Sequence, residues 1–395
     1  PILSHMVEDR RLSARQLANA AWALGKVMQL CSNDVEILLV SIASQILEKI
    51  EESSLCSSPS GGVADLALSP AEVSMALGAL AWIKPRKSPT GWKTTSQEQK
   101  VPQRSAASFT RVDDHPGRDG IIFRNIGTGR REAEEHEENQ FQEKGTECVF
   151  DLLFESVAKA LVFGNSTLLE AYDWDTLSNV AWAYAHHGLL TPATEKLCIS
   201  IARHATTRMR ETNGKSEHGC AYPLPRDISL IAWSLGAIQV DCFRLGEDFE
   251  IFVECAFDLI KCVDNPDGTS TGIFSNWKST DLVQLSVSLA HSRIDNVPLL
   301  EEIFLEINRK VHNDELKTWE VTVLMWVMAK LHLTNSTFEN FSHSATLFLL
   351  RKIRSRNSDE VEGIGSQEQA NLAWSITVLE HYSAESIKLL QEIFE

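Results

Sequence analysis

The stretch "DTLSNVAWAYAHHG", residues 175–188, decides the fold. At about 100° per residue, Leu177, Ala181, Tyr184 and Gly188 share one stripe. Asn179, Ala183 and His186 fall on the opposite side, with Trp182 at the border. The wording recurs as "RQLANAAWALGKVM" (15–28), "RDISLIAWSLGAIQ" (226–239), "TDLVQLSVSLAHSR" (280–293), "WEVTVLMWVMAKLH" (319–332) and "EQANLAWSITVLEH" (368–381). Aligned on the Trp of "AW", the index positions are Trp22, Trp182, Trp233, Val287, Trp326 and Trp374; "PAEVSMALGALAWIK" (70–84) joins them with Gly78. Their spacing, roughly 40–55 residues once 85–147 is set aside, is that of helical-hairpin repeats.

A second amphipathic stretch follows each of these, from "NDVEILLVSIASQILEKI" (33–50) to "SAESIKLLQEIFE" (383–395). One such pair cannot bury its own apolar face, so stacked pairs must share a core. The expected fold is all-α, an α-solenoid of about seven helix-turn-helix pairs. Ser13, Ser69, Asp173, Ser279 and Ser366 are expected N-caps, and Pro70 and Pro192 suit a first helical turn. Residues 1–84 hold the N-terminal repeats and 148–395 continue the same solenoid. Between them, 85–147 changes from basic and Pro/Ser/Thr-rich ("KPRKSPTGWKTTSQ") to acidic ("REAEEHEENQFQEK") and reads as a disordered insert, as do the shorter 51–62 and 264–272.

A net charge of −17 excludes a polycation that grips nucleic acid over its whole surface, though not a local basic stripe. No apolar run reaches the roughly 20 residues of a membrane span. The eight cysteines form no C-x-x-C pair and no zinc spacing, and most lie in apolar helical stretches, which suits a reducing compartment. The chain opens "PILSHM" and ends inside an amphipathic stretch, so it reads as a fragment whose targeting signal would lie upstream.

No catalytic constellation is visible. "GTGRRE" (127–132) lacks the preceding strand and third Gly of a phosphate loop, Asp173 and Asp175 suit a helix start, and His186–His187 has no third ligand at metal spacing. The expectation is a non-enzyme with no catalytic residue, metal or cofactor.

"LANAAWALGK" (17–26), "LSNVAWAYAHHG" (177–188) and "ANLAWSI" (370–376) resemble the first helix of octotricopeptide repeats and of the related repeats upstream of RAP domains. The pattern degenerates in the second, fifth and sixth repeats. The family's Pro-Pro-Pro-Glu-Trp stretch and a RAP-like domain are not visible. The resemblance implies sequence-selective binding of single-stranded RNA in a chloroplast or mitochondrion, acting on transcript stability, processing or translation alongside other proteins of an RNA-processing complex. The recurring outward face supplies the chemistry: an amide (Asn19, Asn179, Gln284, Asn371) for a base edge, a small residue, then a base (Lys26, His186, His291, Lys330) for phosphate, with Trp22 and Trp182 beside them for stacking. The same residues also suit packing, since a repeated Trp or Asn ties neighbouring hairpins together. The competing function is an acidic protein–protein scaffold of the HEAT or armadillo kind.

Overall fold

The computed structural model describes residues 7, 12–27, 33–56, 69–83, 136–163, 167–212, 222–239, 245–264, 273–354, 366–381 and 383–394. Among them the chain is all-helical, with no strand. The index residues lie on α1 (Ala14–Val27), α3 (Pro70–Ile83), α6 (Trp174–His187), α8 (Pro225–Gln239), α10 (Ser279–Ser292), α12 (Thr318–Leu331) and α14 (Ser366–Val378). Between them come α2 (Asn33–Cys56), α4 (His136–Phe163), the single turn α5 (Thr167–Glu170), α7 (Pro192–Thr212), α9 (Gly246–Asp264), α11 (Val297–His312) and α13 (Ser336–Arg354), with α15 (Ala384–Phe394) last.

Each index helix packs on the next, in the order α1, α3, α6, α8, α10, α12, α14. The intervening helices pack as α2–α4–α7–α9 and as α11–α13–α15, and each index helix also contacts the helix that follows it. This two-layered order is consistent with an α-solenoid. Most index helices are therefore covered on both flanks and beneath. In α12 every residue from Glu320 to Ala329 is buried, which explains its apolar composition all round.

Local signals fix where these helices start and stop. Asp173 caps α6 by accepting the Thr176 N–H at 2.8 Å. Ser13 and Gln16 form a reciprocal capping box, as do Ser69 and Glu72. Pro70 and Pro192 open α3 and α7. Ser279 and Ser366 are instead the first residues of their helices, and Ser279 Oγ donates to Glu320 Oε1 at 3.0 Å. A left-handed residue recurs six positions after the index: Gly188 (φ 71°), Arg293 (φ 55°), His332 (φ 53°) and Glu380 (φ 52°). After the last three, the next N–H closes a Schellman bond to Leu289, Met328 and Ile376.

A second column went unread in the sequence. Six residues before each index stands a polar side chain: Gln16, Glu72, Thr176, Asp227, Asp281, Glu320 and Glu368. Asp227 turns back to accept the Leu224 N–H at 3.0 Å and Glu320 that of Lys317 at 2.8 Å, as Gln16 and Glu72 do in the two boxes above. Asp227 and Glu320 are buried and also meet the preceding index helix, through Ser178 at 3.4 Å and Ser279. Where these bonds form the column closes the helix N-terminus, and at Asp227 and Glu320 it also joins the helix to its neighbour.

Two expected boundaries change. α4 begins at His136, so the acidic end of the region assigned to the insert is helical, as its Glu- and Gln-rich composition favours. α2 runs through Glu51–Cys56, into the first of the short inserts. Residues 84–135, including "GTGRRE", and 265–272 lie outside the described residues.

Candidate nucleic-acid interface

A groove of about 560 Å³ crosses α1, α3, α6, α8 and α10 on the index layer. Its lining includes Met75, Asn179, Leu230 and Gln284, the residues three positions before the index on four successive helices. Two of the four predicted amides, Asn179 and Gln284, thus line one groove, with apolar Met75 and Leu230 at the equivalent positions. Trp22, Gly78 and Trp182, index residues of the first three helices in the layer, line the same groove.

Arg226 and Lys278 supply its cations, and Asp281 a carboxylate. Arg226 reaches from α8 to α6, its guanidinium donating to Asp175 Oδ1 at 3.2 Å and to Asn179 Oδ1 at 3.3 Å. The Arg226–Asp175 pair is exposed on both sides, so it is worth no more than about 1 kcal/mol. Its effect is to orient the Asn179 amide. Burial raises the Asp281 carboxyl above its ordinary range, opposed chiefly by the Lys278 charge. Neither Arg226 nor Lys278 stood out in sequence: Arg226 is the first residue of its quoted stretch and Lys278 lies two before its own, both off the recurring amide–small–base face. The signal was their place in the first turn of an index helix or just before it, which the shared helix layer brings to the groove.

Other expected members lie elsewhere. Asn19 is exposed on α1. The side chain of Lys26 lies outside the described residues. His186 stacks on Trp182, ring centroids 4.8 Å apart, and burial lowers its basicity. His291 packs against Trp326 at 5.4 Å; burial, and secondarily the Lys330 charge, lower its pKa to about 4. Near neutral pH such a ring is neutral, so His291 could offer phosphate a hydrogen bond but not a charge. Lys330 is half-buried beside it on α12.

The outward orientation of four further residues is also corrected. Asn371 is only 2% exposed, packed within the layer instead of facing solvent. Of the small residues after the index, Ala23 is exposed, but Ala183, Ser288 and Ser375 are buried and do not form an open floor for a base. At Ser288 two index helices touch: a Cβ built at Gly236 of α8 would stand 2.9 Å from the Ser288 carbonyl oxygen of α10. Trp exposure varies accordingly, from 50% at Trp22 and 41% at Trp374 to 2% at Trp326.

Among the described residues, no three His, Cys, Asp or Glu side chains cluster as a metal site, and no helix is long and apolar enough to cross a membrane. Comparison with models of protein families and with curated proteins finds no match.

Proposed function

We propose that the chain is an α-solenoid of about seven helical pairs that binds single-stranded RNA along the index-layer groove. The supporting observation is the lining of that groove: two amides at a fixed repeat position, two indoles and two cations, drawn from index helices that pack in succession. Asn179 and Gln284 supply hydrogen-bonding groups for base edges, Trp22 and Trp182 supply stacking surface, and Arg226 and Lys278 supply phosphate contacts. The net charge of −17 limits binding to this stripe and makes selectivity depend on it. The wording shared with octotricopeptide repeats supports the same reading and extends it to transcript stability, processing or translation in an organelle.

The test is binding of a random-sequence single-stranded RNA pool to the purified chain across a salt series. Arg226→Glu and Lys278→Glu should each weaken binding and flatten the log–log salt dependence by about 0.7 per lost phosphate contact. Unaltered melting of the variants separates this from unfolding. A chain that binds no RNA at low salt refutes the proposal and leaves the acidic scaffold as the reading of the groove.

A further inference from the structure

Asn179 lines the groove from α6 and Arg226 from α8. The guanidinium spans one turn of α6: Nη1 donates to Asp175 Oδ1 at 3.2 Å and Nη2 to Asn179 Oδ1 at 3.3 Å. A guanidinium only donates, so the end of the Asn179 amide that meets it is the oxygen. The Nδ2 donors are left over, and no described residue accepts from them. A terminal amide that is free to turn reads an adenine edge by accepting from its amino group and donating to its ring nitrogen. Asn179 lacks that freedom. The second lone pair of Oδ1 lies beside the guanidinium charge, which repels the N–H of any amino group brought to it. Gln284, lining the same groove from α10, has no partner among the described residues and can turn either way. The residue corresponding to Arg226, seven before the index, is Ala71 on α3 and Trp319 on α12, so the helices beside Asn19 and Gln284 carry no cation at this place.

We propose that the Arg226 clamp makes Asn179 a donor-only reader, selecting at its place in the strand a keto base, guanine or uracil, over an amino base, adenine or cytosine. The inference rests on the RNA reading above and names the class of base taken at that point of the groove. Guanine and uracil turn a carbonyl oxygen (O6 or O4) toward the amide nitrogen, where adenine and cytosine turn an amino group. Donor meets acceptor in the first case and donor meets donor in the second, which leaves both groups unsatisfied. Arg226 is then a positioning residue as well as a phosphate contact, since two of its five donors hold α6 and the others remain for the strand. The selectivity belongs to a pair of stacked repeats, because the reading amide is on one index helix and its clamp on the next.

The experiment compares oligo-inosine with oligo-adenosine of equal length, two purines that present the same stacking surface and differ chiefly at C6, a carbonyl in one and an amino group in the other. By fluorescence anisotropy on the whole chain at low salt, oligo-inosine should bind about fivefold or more tightly, the lower end of what a matched base contact discriminates. Asn179→Asp, whose carboxylate only accepts, should abolish or reverse that preference. Arg226→Ala should weaken both RNAs through the lost phosphate contact and, by releasing the amide, bring their ratio toward one. Gln284→Ala should weaken both and leave the ratio standing. Equal binding of the two RNAs by wild type, or a ratio that survives Arg226→Ala, refutes the clamp while RNA binding stands. If neither RNA binds, the RNA reading fails and the clamp with it. Should Arg226→Ala not fold, Asn179→Asp decides the question alone.

Discussion

Alanine at Gly78 and alanine at Gly236 make the same covalent change on two index helices, with opposite expected signs. In a helix interior, replacing Gly by Ala removes an entropic penalty of about 1 kcal/mol. At Gly78 the added methyl meets nothing within 4 Å, so that gain should appear almost whole. At Gly236 the methyl stands 2.9 Å from the Ser288 carbonyl oxygen and 3.0 Å from its Cα and Cβ. These are mostly backbone atoms of α10, which cannot swing aside, so the two helices must separate. Overpacking of this kind costs about 1–3 kcal/mol. Offset by the same propensity gain, Gly236→Ala should be destabilising by up to about 2 kcal/mol, and the two variants should differ by about 1–3 kcal/mol. Urea unfolding followed by circular dichroism reads this as midpoints displaced in opposite directions at unchanged slope. A Gly236→Ala midpoint at or above that of Gly78→Ala would refute the close approach of α8 and α10.

Two further outcomes depend on protons. Burial raises the Asp227 carboxyl above its ordinary range, opposed chiefly by the Leu224 N–H; a raised folded-state pKa stabilises the fold below the unfolded value and loses that contribution as pH rises through the folded one. Wild type should therefore gain stability relative to Asp227→Asn as pH falls from neutrality to about 4, and a pH-independent difference between their melts would contradict the burial. The His291 ring should titrate near pH 4 by NMR, leaving RNA affinity between about pH 5 and 8 independent of its charge; a midpoint near the ordinary value of about 6.5 would mean that the ring is solvated.

The sequence by itself determined the helices and the face each turns toward its neighbours. Capping boxes at Ser13 and Ser69, the Asp173 cap and the openings at Pro70 and Pro192 are local chemistry, legible because the bonds close within a few residues. So was the index column, since a repeated Trp at fixed spacing needs no tertiary information. Which polar residues would face solvent was not legible in the same way. Asn19 and Asn371 occupy the same repeat position, yet one is exposed and the other buried. A helical wheel gives the direction of a side chain from its axis, not how closely the next helix approaches along that direction. Helices flanked on both sides bury three directions, which took in Ala183 and Ser288 and lowered the pKa of His291, while Ser375 is buried on α14 with α12 as its index neighbour. The same packing gathered Arg226 and Lys278 beside Asn179 and Gln284. It also turned the absent Trp at Gly78 from a lapse in the pattern into an opening, because an empty volume exists only when neighbouring helices supply its walls.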